Sequence, residues 1–343
     1  MDIEFGAISL SDLQLEKSTG KLRTASERIA DTLSIAMLAD RLGLDAFALG
    51  EHHSHDFAVS SPAVVLAAIA ASTKSIRLTS AVTVLSVLDP VRVWEDFATL
   101  DVLSAGRAEI IAGRSAFVEP FPLFGVNLND YDAIFAEKLG LLLELRENAT
   151  VNWTGAFRPP LVDAQISPRA VQESLPVWAG VGGSPESAER AGRLGLPMTL
   201  GLIGGPIAQA SRTVDIYRAA GERAGHPELL RVAISTHFFA GASERAAREV
   251  FPYYKEYLRP KTPGGRGFAI DESYFTAATS PGQAVMIGSS DELIEKIVFA
   301  HEVLGIDRFF GQADWGGMPL ALVEDSLTRL ATEIAPAVRA AIE

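Results

Sequence analysis

The chain has 343 residues, no cysteine and a formal net charge of −13. Without cysteine it forms no disulfide, no thiolate metal site and no cysteine nucleophile, and its acidic excess disfavours nucleic acid or an anionic membrane as partner. No apolar run approaches the roughly 20 uncharged residues of a membrane span, and the N-terminus opens on an apolar stretch without a basic leader, so a soluble, cytoplasmic protein is expected.

Short β-branched runs alternate with longer stretches of helical period, the pattern of βα units around a parallel sheet. In chain order the predicted strands are 3–8, 45–50, 76–84, 108–112, 177–181, 198–202, 231–239 and 308–311. Helical periodicity follows each of them, over 25–42, 62–73, 91–103, 132–146, 185–194, 207–224, 244–257, 291–304 and 320–341. Eight such units fit one domain built as a closed (β/α)8 TIM barrel, with an open doubly wound sheet as the alternative. Two inserted segments break the rhythm. Residues 148–174, with Trp153, Pro159, Pro160 and Pro168, read as a small extra hairpin; residues 261–285, rich in Gly, Pro and Thr, read as a substrate lid or a disordered segment.

Candidate chemistry gathers where the predicted strands end. Residues 178–187 (WAGVGGSPES) run from a strand through Gly182 and Gly183 into a helix with Ser184 as N-cap, Pro185 at its first position and Ser187 in its first turn. Free amides and the helix dipole make this either a phosphate cradle or a tight turn with an ordinary cap. The next strand also ends in glycines, Gly204 and Gly205, and two neighbouring loops that admit a ligand to the backbone favour the cradle. Arg114 and Ser115 lie just past the fourth strand, where a guanidinium suits phosphate oxygens or a rim salt bridge.

Residues 50–56 (GEHHSHD) hold three histidines and two acids, which suit a general acid/base, a metal site or a hydrogen-bonded loop. His52 is the favoured active imidazole, oriented by Glu51 or Asp56. Ala81, Val82 and Thr83 on the third strand are small or β-branched, leaving room for a flat ring or simply filling the barrel. Glu119 and Trp315 are candidate substrate contacts.

Several stretches together resemble the bacterial luciferase-like monooxygenases: 44–53 (LDAFALGEHH), 89–107 (DPVRVWEDFATLDVLSAGR) running into Ala112, Gly113 and Arg114, and 195–198 (GLPM) after the glycine loop. The likeness extends from the first strand to 305–308 (GIDR). The resemblance implies an FMN whose phosphate meets Arg114 and Ser184 with Ser187 nearby. It also implies a flavin ring over the third strand at a cis peptide between Ala81 and Val82, and His52 as an imidazole assisting proton transfer. The implied reaction uses reduced FMN, supplied by a separate flavin reductase, and O2 to oxygenate a small organic substrate; a homodimer is implied too.

Light emission is not expected, because the true luciferases place a reactive thiol beside the flavin and an acid where this chain has Gly183. An oxidoreductase using the deazaflavin F420 is the alternative, from a branch that shares the barrel. A noncatalytic flavin-binding subunit, and a metal-dependent hydrolase using His52, His53 and His55, are the competing readings. No G-x-G-x-x-G follows a strand, so NAD(P)H is not expected on this chain.

Overall fold

The runs predicted as strands are apolar on both faces, which suits a parallel sheet covered inside and out. The computed structural model describes residues 2–16, 20–115, 117–260 and 267–343. Among them, β1 (Glu4–Ser9), β2 (Ala46–Leu49), β3 (Arg77–Ser80), β4 (Ala108–Gly113), β5 (Val177–Val181), β6 (Met198–Gly201), β7 (Val232–Gly241) and β8 (Arg308–Gln312) pair in parallel in that order. The ring closes where β7 pairs with β6 at Val232↔Met198 and with β8 at Ala233↔Arg308, and where β8 pairs with β1 at Arg308↔Glu4. The outer shell includes α1 (Ala25–Arg41), α2 (Pro62–Ser72), α3 (Pro90–Ser104), α4 (Tyr131–Glu147), α5 (Pro185–Arg193), α6 (Ser211–Ala224) and α7 (Ser290–Leu304). None of the described helices is long and apolar enough to cross a membrane.

The N-terminal end of the barrel is filled by charge. Arg308, 1% exposed, donates to Glu4 at 2.5 Å and to both oxygens of Glu109 at 2.6 and 3.1 Å, and lies 4.4 Å from the centre of the Trp178 ring. Burial works against its charge, but Glu109 and Glu4 outweigh that and hold its pKa above the usual value. This floor leaves the opposite, C-terminal mouth for a ligand, as barrels generally do.

Several expectations need correction. The third strand is not one run over 76–84: β3 stops at Ser80, a cis peptide joins Ala81 to Val82, and Thr83–Val84 pairs afresh with Ala112 and Gly113 of β4. The helix expected over 244–257 is two, Glu244–Arg248 and Phe251–Leu258. The last helix passes through a π turn at Leu330–Ile334, just before Pro336, whose ring nitrogen has no hydrogen to give the α-helical ladder.

The 148–174 interruption does hold an antiparallel hairpin, Thr150–Trp153 with Leu161–Gln165. Of 261–285, residues 261–266 lie outside the described ones. The remainder is more regular than its composition suggested: Asp271 caps a helix over Glu272–Thr279, and Phe275 packs against the rings of Phe251 and Tyr254 at 5.3 and 5.7 Å. The following strand, Met286–Ser289, has no counterpart among the predicted strands and pairs with the outer half of β7.

Candidate active site at the barrel mouth

Inside the mouth, the turn at Ala81 and Val82 drives a side chain between two strands. A β-carbon on Gly113 of β4 would stand 2.3 Å from Val82 Cγ2, and one on Gly180 of β5 would stand 2.8 Å from Val82 Cγ1. A side chain at either position would force Val82 or the strand to shift. Thr83 is buried, its hydroxyl donating to Ser80 Oγ at 2.8 Å.

His52 follows β2. Its ring stacks on Phe57 with centroids 3.9 Å apart and meets the edge of Phe117 at 5.2 Å. Nε2 is buried without a hydrogen-bond partner among the described residues. Burial, and then the neighbouring His53, push its pKa down to about 4, so the imidazole is neutral near pH 7. Neither acid expected to orient it does so. Glu51 accepts from or shares a proton with His53 Nε2 at 2.8 Å and accepts the Val84 amide at 3.1 Å, while the Asp56 carboxylate lies 3.5 Å from the exposed His55. Glu51 is thus paired with His53, and the His52 ring lies instead against Phe57 and Phe117. The three imidazoles diverge, and no three metal-ligating groups among the described residues converge.

At the other end of the mouth, Ser184 caps α5 by accepting the Ser187 amide at 3.4 Å, with Pro185 next in line. Arg114, reaching from just past β4, donates to the Ser187 hydroxyl at 2.6 Å. Arg114, Ser184 and Ser187 are therefore one cluster. Gly182 and Gly183 beside them are exposed, and a β-carbon on either would meet nothing within 4 Å; Gly183 also takes φ +95°, where a side chain is strained. Sequence reasoning missed three members of this cluster. Asp132 ion-pairs with Arg114, Arg190 Nη2 lies 3.8 Å from the same Asp132 oxygen, and the Tyr131 ring lies under the Arg114 guanidinium at 4.7 Å. Arg190 was detectable, since it sits three residues after Ser187 and so on the same helix face.

Two expected contributors take other hydrogen-bond partners. The Ser115 hydroxyl is tied to the Phe117 backbone, accepting its amide at 3.0 Å. The loop carrying Gly204 and Gly205 is held by the segment before Met286: Ala284 donates to the Gly205 carbonyl and Ile207 to that of Gly282, both at 2.9 Å. Among the described residues no hydrogen bond joins that loop to Arg114, Ser184 or Ser187. Trp315, expected at the substrate, is fully buried and donates to the Gln312 carbonyl at 2.8 Å.

An open hollow of about 480 Å³, within the usual range of ligand pockets, is lined among others by Phe117, Phe121, Tyr131 and Asp132. It runs from the Arg114 cluster towards Phe117, whose ring edges His52. Sequence reasoning gave no weight to His237, which lies on β7 opposite Gln312. Its Nδ1 shares a hydrogen bond of 2.9 Å with the Tyr254 hydroxyl, and burial pushes its pKa down to about 4.

Comparison with known proteins agrees with this architecture. The model of the luciferase-like monooxygenase family matches residues 3–308, and the chain belongs to that family. It is 26% identical over 290 residues to the N-acetyl-S-alkylcysteine monooxygenase of Bacillus subtilis, covering 81% of this chain and 84% of that protein. It is 22% identical to the oxygenase component of the flavin-dependent trigonelline monooxygenase of Acinetobacter baylyi, covering 92% and 91%. The fold is shared with the oxygenating constituent of 3,6-diketocamphane monooxygenase from Pseudomonas putida, solved with FMN (TM-score 0.80, 19% identity, 98% and 99% covered). It is shared also with an F420-dependent secondary alcohol dehydrogenase (TM-score 0.73, 18% identity, 98% and 99% covered).

Proposed function

We propose that this luciferase-like monooxygenase binds FMN across the barrel mouth and, with the flavin reduced by a separate reductase, uses O2 to oxygenate a small organic substrate. The observation that carries this reading is the convergence of Arg114, Ser184 and Ser187 beside two glycines that leave the backbone bare. A guanidinium, two hydroxyls and a helix start form a site for a phosphate, and FMN ends in one. When bound and reduced, FMN supplies the activation of O2.

The chain's own residues do the rest. Arg114 and Ser187 hold the phosphate. Val82, seated against Gly113 and Gly180, would form a wall for the flavin ring. His52, neutral and with a free Nε2, takes or returns a proton. Phe57 and Phe117 pack around its ring and keep water from it. Phe117 and Phe121 give the hollow an apolar wall for a small organic substrate.

The name of the Acinetobacter relative, an oxygenase component, supports a reductase partner, and the FMN complex on the same fold supports FMN. Two copies are proposed to meet through α2 (PAVVLAAIAAS), which is apolar all round although Val64 is 68% exposed.

The deciding experiment titrates the protein with FMN, reduced FMN and F420, then mixes the reduced complex with isotopically labelled O2 and candidate substrates. Reduced FMN should bind, and one labelled oxygen atom should enter the product. Binding of F420 alone, or a product without the label, would overturn the reading.

A further inference from the structure

The Arg114 cluster contains more positive charge than one guanidinium. Arg190 projects from the same face of α5 as Ser187, its Nη2 3.8 Å from Asp132. Its Nη1 is buried and has no hydrogen-bond partner among the described residues. Burial first, and then the nearby Arg114, lower the pKa of Arg190, as expected of two like charges held close together. What lies between them is a carboxylate. Asp132, in the first turn of α4, ion-pairs with Arg114 and faces Arg190 with the same oxygen.

The two kinds of partner differ in how firmly they are held. The guanidinium side chains are only 17% and 16% exposed: Arg114 is fixed by Ser187 and the Tyr131 ring, and Arg190 lies against the Phe135 ring at 5.5 Å. The Asp132 side chain is 67% exposed. An exposed carboxylate rotates into water at little cost, whereas the cations stay in place. A second acid behaves alike: Glu186, also at the surface, accepts the Ser184 hydroxyl at 2.8 Å. Arg114 and Ser184, two donors suited to phosphate, are thus each engaged by a surface carboxylate of the chain itself.

We propose that Arg190 is a second phosphate-binding guanidinium and that Asp132 is a built-in competitor, a carboxylate that leaves the Arg114–Arg190 pair when a phosphate monoester arrives. This rests on the flavin reading above and adds to it a second binding residue and a competitor for the site. A monoester carries close to two negative charges near pH 7, enough to replace one carboxylate between two cations. Competition by Asp132 also keeps the cofactor exchangeable, as a flavin delivered by another protein must be.

The test follows quenching of flavin fluorescence on titrating FMN, and separately riboflavin, into the wild-type protein, Asp132→Asn and Arg190→Gln. Asp132→Asn should tighten FMN by up to about fivefold, the range of an exposed ion pair, and leave riboflavin unmoved. Arg190→Gln should weaken FMN by roughly tenfold or more, again with riboflavin unmoved. The inference is overturned if Asp132→Asn binds FMN no more tightly than wild type, or if Arg190→Gln shifts both flavins alike. Should the wild-type protein bind FMN and riboflavin equally, the phosphate site itself is wrong and the functional reading falls with it; an FMN preference that ignores Asp132 sinks this inference alone.

Discussion

Val82 Cγ2 lies 2.3 Å from the point where a β-carbon on Gly113 would stand, so the turn after β3 packs against β4 at the mouth because Gly113 has no side chain. Gly113→Ala should therefore destabilise the protein by about 1–3 kcal/mol, the cost of overpacking, measured by denaturant unfolding. Adding Val82→Ala should recover part of that loss. Independent, additive effects of the two changes would mean that the contact is not the cause.

Arg114 joins the end of β4 to the first turn of α5 through the Ser187 hydroxyl. Arg114→Lys keeps the charge but loses the planar fork of donors. FMN affinity should fall roughly tenfold, matching one charged hydrogen bond of about 1.5 kcal/mol, with thermal stability nearly unchanged. Isothermal titration of both proteins checks this, and equal affinities would remove Arg114 from the phosphate site.

His52 has a buried, unpartnered Nε2 and a pKa of about 4. His52→Ala should leave FMN affinity near normal and lower turnover by about 10²–10⁴-fold, the usual contribution of a general acid or base. The readout is steady-state oxygenation with a reductase supplying reduced flavin. Unchanged turnover would refute the catalytic role.

His237 and His52 also bear on acid stability. Both have folded pKa values near 4, below the ordinary value of about 6.5. Between pH 6.5 and 4 the unfolded chain takes up protons that the folded chain refuses, so stability is full above this window and falls as pH drops through it. For His237, 5% exposed, the loss is on the order of 3 kcal/mol. His237→Gln should flatten the dependence of unfolding free energy on pH in this window, whatever it does to stability at pH 7. An unaltered slope would show that His237 does not carry the effect.

The outer face of α2 carries Val64, 68% exposed, and the helix has no charged residue. Val64→Asp should convert a dimer to monomer in sedimentation at micromolar concentration, with the fold intact by circular dichroism. A wild-type protein that sediments as a monomer would contradict the proposed interface.

Much of the barrel could be read along the chain. All eight predicted strand positions overlap the strands of the ring, and Gly43, Gly195 and Gly305, each following a leucine at the end of a helix, take φ of +75°, +62° and +58°. The helix start at Ser184 was legible too, because cap, proline and hydroxyl are neighbours. The helix Glu272–Thr279 was not: Gly, Pro and Thr around it masked a short element whose anchor, Phe275, is recognisable only by the rings of Phe251 and Tyr254 that receive it.

What the amino-acid sequence determined by itself was the succession of βα units and the residue types at their ends, since periodicity, caps and glycine stops act over a few residues. Tertiary structure alone decided that Val82 needs Gly113 and Gly180, and that Asp132 meets Arg114 and Arg190. Those relationships depend on distances between strand ends, and these exist only once the sheet has closed on itself.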